Sequence, residues 1–338
     1  MWRRGDLQPY GRGGQELVNL ERRELTIDGV RRGYWLARVD SALPANGHGP
    51  PGTAPLLIVL HGSGMTGRAM AQFTGLATRG PAAGITVAFP DGWKGVWHAI
   101  RPPDDEPGLD DVLFLSAISA QVESIGAARA WPVFLAGVSN GARFAEHLAR
   151  HGLLPVTGLF LVSGTTLVAS RRSVPVPLLR STVTCVQGTA DPFFRYEGGP
   201  LIRRGLSGAI LRRRMARHGE LPGESAVAGV EETCADWVAG NGITAPPGVA
   251  ELPPTPGDPT VTRKTWSAPG CRPVTLYRVD GGGHGWPGGP QFQPGRSTGT
   301  VARHLDATGI LLSMAGREIA VATGRRFLER GGSGVAPW

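Results

Sequence analysis

Gly137-Val138-Ser139-Asn140-Gly141 has the residue types and spacing of a serine nucleophile held on a sharp turn. A seryl hydroxyl is a weak nucleophile. It attacks a carbonyl only when its oxygen is presented beside a base, with N–H donors nearby to accept the developing oxyanion. In a Gly-x-Ser-x-Gly turn the two glycines let a strand and a helix approach where a side chain would collide. Any Gly-rich turn can share this spelling, so the setting matters. Pro132 to Ala136 is an apolar run of strand length leading in, and Ala142, Ala145, Leu148 and Ala149 trace a helical face leading out.

On such a scaffold the acid and the base follow the nucleophile in the chain, acid first. Of the eight histidines, His284 combines that order with a flexible loop after a strand, Asp280-Gly281-Gly282-Gly283-His284-Gly285-Trp286. His147 and His151 read as surface residues of the helix after the turn. His304 reads as lying on the outside of a C-terminal helix, and His218 falls in an Arg-rich stretch. The acid must orient the imidazole and stabilise its charged form. Asp191, in Gln187-Gly188-Thr189-Ala190-Asp191-Pro192, follows the apolar run Thr182 to Val186 and is favoured. Asp280 is the rival, but it lies too close in sequence to His284 to reach the far side of the ring.

The oxyanion donors are expected to be the backbone N–H groups of Asn140, directly after the nucleophile, and of Ser63, in His61-Gly62-Ser63-Gly64 after the run Leu56 to Leu60. His61 reads as a structural hydrogen-bonding residue. Trp97, Phe193 and Trp286 are expected to line the substrate pocket, with core packing an equal alternative for Trp97. Asp110 and Asp111 read as a helix cap and a partner of the helix dipole rather than as an acid–base pair. Cys185, Cys234 and Cys271 match no zinc spacing and no disulfide framework, so they read as buried thiols, with no metal and no organic cofactor expected.

The elements that must hold these residues follow from the apolar pattern. Glu24–Ile27 and Tyr34–Val39 flank Asp28-Gly29, a dipeptide suited to a tight hairpin. Apolar runs recur at Leu56–Leu60, Ile85–Phe89, Pro132–Ala136, Leu159–Val162, Thr182–Val186 and Val274–Val279, as expected for a sheet covered on both faces. Helix-like segments lie between them at Met65–Arg79, Asp111–Ala128, Gly141–Arg150, Glu231–Ala239 and Thr300–Met314. This alternation predicts an α/β fold with a mostly parallel, doubly wound sheet and helices on both faces. Residues 1–22 read as a loose extension, 23–330 as one domain, and 331–338 as a disordered tail. Pro200 to Ala226, with six arginines, reads as a lid or a solvated surface insertion.

Hydrophobic residues at 41 % and charged residues at 18 % describe a globular chain, and no apolar stretch approaches the roughly 20 residues of a membrane span. The net charge of +8 is almost all arginine, since Lys94 and Lys264 are the sole lysines. It accompanies heavy use of Gly, Ala and Pro and no nucleic-acid motif, so no nucleic-acid partner is read from it. Basic residues at positions 3 and 4 precede no apolar signal stretch, and the expectation is a cytoplasmic protein, with secretion allowed if the true start lies elsewhere. The oligomeric state is not legible.

Several segments together resemble the polyhydroxybutyrate depolymerase and feruloyl/acetylxylan esterase group of α/β-hydrolases. They are the Asp-Gly hairpin, Leu60-His61-Gly62, Phe89-Pro90-Asp91-Gly92 with Trp97, Asp110-Asp111-Val112, the Ser139 turn, Gly188-Thr189-Ala190-Asp191, Glu231-Glu232-Thr233 with Trp237 and Asn241-Gly242, and Gly282 to Gly288. The resemblance runs from about Leu25 to Leu312. It implies the α/β-hydrolase fold, a Ser139–Asp191–His284 triad, no cofactor, and hydrolysis of a small-molecule or oligomeric ester of short-chain, hydroxyalkanoate, acetyl or feruloyl type. The family often pairs a cysteine after Asn-Gly with one before the His-bearing strand. Here Ile243 takes the first position and Cys271 remains near the second, so that bond is absent. A serine peptidase or an acyltransferase on the same scaffold, or a non-catalytic binding protein, are the alternatives.

Overall fold

The computed structural model describes residues 20–39, 54–98, 110–128, 132–201, 226–291 and 294–324. Most of the expected N-terminal extension, the interior of the Arg-rich segment, His218 and the C-terminal tail lie outside these residues. Strand β1 (Leu20–Ile27) starts inside the stretch expected to be loose. It turns into β2 (Val30–Ala37) through Asp28 and Gly29, whose φ angles of 48° and 79° are those of a primed hairpin turn matched to strand twist.

Strands β3 (Leu56–Leu60), β4 (Thr86–Pro90), β5 (Val133–Val138), β6 (Gly158–Val162) and β7 (Thr182–Gly188) are buried throughout, in keeping with their mainly apolar sequences, although β7 also carries Thr182, Thr184 and Gln187. Two short strands, β8 (Gly198–Pro200) and β9 (Ala226–Ala228), pair as a separate ribbon that frames the Arg-rich segment. Strands β10 (Gly248–Glu251), β11 (Thr260–Trp266) and β12 (Val274–Asp280) complete a sheet in the order β1-β2-β4-β3-β5-β6-β7-β12-β11-β10. The centre, from β4 to β12, is parallel and both margins are antiparallel. The expected α/β architecture is therefore borne out. Strands β10 and β11 go beyond the expected elements, because they are largely or partly exposed and lack the apolar runs of the centre.

Alternate residues of each strand feed two cores. Leu56, Ile58 and Leu60 of β3 face α3 (Asp111–Ser124), α4 (Asn140–Arg150) and α6 (Val230–Gly240), with a short α5 (Val168–Ser173) nearby. Leu57 and Val59 face α1 (Gly67–Thr74), α2 (Leu76–Ala82) and α8 (Ala307–Thr323), which follows the single turn α7 (Gly295–Thr298). The helix expected over Met65–Arg79 is two helices, broken at Gly75 in the left-handed conformation, φ 66°. The C-terminal helix begins at Ala307 rather than near Thr300, because Asp306 caps it by accepting from the N–H of Gly309 at 2.9 Å.

The chain runs from β3 outward to β4 and then returns to place β5 on β3's other side. This reversal makes the carboxyl ends of β3 and β5 a topological switch point, where an open α/β sheet leaves a crevice. Ser63 and Ser139 lie at those two ends.

Candidate active site

Ser139 ends β5 and caps α4 at φ 58°, ψ −121°, a conformation that costs a non-glycine residue on the order of 1–3 kcal/mol and is held by its surroundings. The neighbouring glycines are enforced by contact. A Cβ on Gly137 would lie 2.5 Å from the carbonyl carbon of Gly141, and one on Gly141 would lie 2.5 Å from the oxygen of Leu60. The backbone N–H of Ser139 is anchored to the oxygen of Val162 at 3.0 Å, so its side chain is directed by the turn rather than by a cap.

His284 and Asp191 meet directly. Nδ1 of His284 lies 2.8 Å from Oδ2 of Asp191, and both side chains are almost fully buried. Asp191 Oδ1 accepts from the N–H groups of Phe193 and Phe194 at 2.8 and 2.9 Å, and Oδ2 also accepts from Nε2 of Gln187 at 3.2 Å. A carboxylate with this many donors is fixed in orientation. Because Nδ1 faces a carboxylate it carries the proton, and Nε2 is the nitrogen left to accept one. Asp280 takes no part. It pairs with Arg278 at 2.8 Å at the end of β12.

The elbow and the histidine loop are joined through Ser163-Gly164 at the end of β6. Ser163 Oγ donates to the oxygen of Gly285 at 3.3 Å and accepts from its N–H at 3.2 Å. Gly164 lies so close to the elbow that a Cβ there would sit 2.6 Å from the oxygen of Ser139. Ser163 is buried and adopts φ 49°, so this link is strained as well. Neither Ser163 nor Gln187 was singled out in the sequence. The signal was a polar residue followed by glycine at the carboxyl end of an apolar strand.

The loop that carries Ser63 is held against the nucleophile. A Cβ on Gly62 would approach that of Ser139 to 3.3 Å. His61 is fully buried and uses both ring nitrogens on backbone: Nδ1 with the oxygen of Gly62 and Nε2 with the N–H of Gly92, each at 2.9 Å. The second contact makes Nε2 an acceptor, and burial lowers the His61 pKa further, so the ring is neutral. Gly64 N–H donates to the oxygen of Gly95 at 2.8 Å, tying the same loop to the 3-10 turn Trp93–Gly95.

Two aromatic assignments need correction. Trp97 is 1 % exposed and lies in the core beneath the elbow, stacked on Phe144 with centroids 5.7 Å apart. Its indole N–H donates to the oxygen of His61 at 3.0 Å. Its backbone is paired on both sides by Asn140, whose Oδ1 accepts at 2.7 Å and whose Nδ2 donates at 3.0 Å. Trp286 is also 1 % exposed. It packs on Phe160 and donates to Thr308 Oγ1 at 2.9 Å, which pins the histidine loop to α8. An indole is large enough to reach either a pocket or the core, and here the apolar interior takes both. Phe193 stays half-buried with its edge toward the His284 ring, centroids 4.9 Å apart.

Other expectations shift too. Asp110 caps α3 through the N–H of Leu113 at 2.8 Å, but Asp111 is buried in an ion pair with Arg32 at 2.6 Å. His147 and His151 are half-buried rather than surface residues, with rings 4.1 Å apart and bonds to Ser170 and Ser173. His304 precedes α8 and is paired with Asp258. Among the described residues no cluster of three or more His, Cys, Asp or Glu could hold a metal ion, and no helix is long and apolar enough to cross a membrane.

Comparison with known proteins gives the chain's relatives and its fold. NocK of Nocardia uniformis subsp. tsuyamanensis, a protein assigned as an esterase, is 31 % identical over 276 residues, covering 79 % of this chain and 74 % of NocK. The chain belongs to the same esterase family. No protein-family model matches the sequence. Among solved structures, an acetyl xylan esterase from Aspergillus awamori superposes with a TM-score of 0.51 at 15 % identity, over 78 % of this chain and 94 % of that one, and so shares the α/β-hydrolase fold. The esterase-family relationship thus rests on sequence, and the fold on structure.

Proposed function

We propose that this esterase-family protein is a serine carboxylic-ester hydrolase that works through an acyl-enzyme on Ser139. Ser139 Oγ attacks the ester carbonyl while His284 Nε2 takes its proton. The tetrahedral oxyanion lies toward the N–H groups of Asn140 and Ser63, each donor lowering the barrier by about 3 kcal/mol. As the carbonyl reforms, His284 returns the proton to the departing alcohol. Water then repeats the sequence and releases the acid.

The observation that carries this reading is the buried 2.8 Å contact between Asp191 and His284 at the sheet edge where Ser139 is held in a strained, glycine-enforced turn. The substrate proposed is a small-molecule or oligomeric ester with an acetyl, other short-chain, feruloyl or hydroxyalkanoate acyl group, as in the polyhydroxybutyrate depolymerase and feruloyl/acetylxylan esterase group. Phe193, beside the imidazole, is the proposed pocket wall. The test is Ser139→Ala assayed with p-nitrophenyl acetate and a fluorophosphonate probe. Turnover and labelling should both disappear with the melting temperature unchanged. Activity near that of the parent chain would refute the role of Ser139, and a panel of the four acyl types would rank the substrates.

A further inference from the structure

Gln187 is out of place by composition. It lies near the end of β7 on the face that otherwise presents Val183 and Cys185 to the core, and it is 1 % exposed. A buried amide is costly unless its hydrogen bonds are made. Its Nε2 has acceptors: the oxygen of Phe194 at 2.9 Å, Asp191 Oδ2 at 3.2 Å and, at the limit, the oxygen of Gly188 at 3.5 Å. Its Oε1 is buried with no partner among the described residues. A Met or Leu would fill this volume without an orphaned carbonyl, so packing does not account for the amide. What the amide supplies is its donor.

That donor is aimed at the oxygen that matters. Asp191 Oδ2 is the atom bonded to Nδ1 of His284, and Gln187 is the side chain that shares it. The same Nε2 also holds the oxygen of Phe194, whose N–H binds the other carboxylate oxygen, Oδ1. One amide therefore sets the plane of the carboxylate from both sides, and through it the tilt of the imidazole. It also draws charge from Oδ2. An acceptor shared between two donors attracts each less strongly, so Gln187 moderates the pull of Asp191 on the imidazolium.

We propose that Gln187 is a positioning residue of the triad, orienting Asp191 and lowering the basicity of His284. The inference rests on the serine-hydrolase reading above. It is tested on the full chain by Gln187→Met, with Gln187→Leu as a second variant that also removes the donor but has a branched side chain. kcat and KM for p-nitrophenyl acetate are measured across pH, with thermal melts, and the downfield Nδ1–H proton of His284 is followed by NMR.

For Gln187→Met, kcat should fall about tenfold with KM nearly unchanged, well short of the ~10⁴ seen when the triad acid itself is disabled. The acid limb of kcat/KM should move upward by roughly half a pH unit, because Oδ2 freed of one donor stabilises the imidazolium better. The NMR resonance should shift as well. Gln187→Leu should shift the acid limb in the same direction, since it too frees Oδ2 of Asp191 from a donor. A folded Gln187→Met variant with the parent acid limb and an unmoved resonance would overturn the proposal. If Gln187→Met fails to fold, an acid limb in Gln187→Leu equal to the parent's would do the same. Ser139→Ala run in parallel separates the two failures: persistent turnover there removes the triad itself, whereas its loss beside an unaltered Gln187 variant removes the positioning role alone.

Discussion

Gly164→Ala tests the joint between the nucleophile turn and the histidine loop. The added methyl would sit 2.6 Å from the oxygen of Ser139 and 2.8 Å from Cβ of Ala142, where ordinary contact begins at 3.4 Å. The elbow must therefore give by about 0.8 Å, and both neighbours are poorly able to move. The first is backbone already strained at φ 58°, and the second is on a fully buried face of α4. Overpacking of this size costs about 1–3 kcal/mol of stability. A displacement near 1 Å at a reacting centre costs about 10²-fold in rate, equivalent to ~2.7 kcal/mol of barrier. The expectation is a drop in melting temperature of a few degrees with kcat/KM for p-nitrophenyl acetate reduced about a hundredfold. Gly248→Ala serves as the control, since a Cβ there finds its nearest neighbour at 4.0 Å. Parent-like activity in Gly164→Ala, with the control also unaffected, would refute the claim that Gly164 spaces Ser139 from the rest of the site.

Two further outcomes follow from the geometry. Burial is the main cause that depresses the His147 pKa to about 4, aided by His151, Arg143 and Arg150, so the unfolded chain takes up this proton first as pH falls. The stability this buried neutral ring contributes is present above about pH 6.5 and is lost between there and about pH 4, at about 1.4 kcal/mol for each pH unit crossed. Chemical denaturation at pH 7 and pH 4.5 should show a smaller loss in His147→Gln than in the parent, and an equal loss would contradict it. Trp97→Leu should lower kcat and the melting temperature together while leaving KM within about twofold, because the indole holds the oxygen of His61 and stacks on Phe144 rather than touching substrate; a rise in KM alone would return Trp97 to the pocket wall.

The central sheet was legible because burial on both faces demands apolar runs, and β3 to β7 have them. The margins were not. β10 and β11 face solvent in part and pair through backbone, which imposes no strong pattern on side chains. Helix limits moved where one residue outweighed periodicity, as Gly75 did between α1 and α2 and Asp306 did at the start of α8.

The candidate site divides in the same way. The Gly-x-Ser-x-Gly turn, the order of Ser139, Asp191 and His284, and a Gly-rich loop after β3 are local in sequence, because each depends on a residue type at the end of an apolar strand. Which carboxylate meets the imidazole is not local. Asp191 reaches His284 because β7 and β12 are adjacent and parallel, while Asp280 is turned toward Arg278. The places of Trp97 and Trp286, the Ser163–Gly285 clasp and the amide of Gln187 were likewise decided by packing between segments far apart in the chain. A side chain's type says what it can bond to; only the assembled sheet brings the partner within 3 Å.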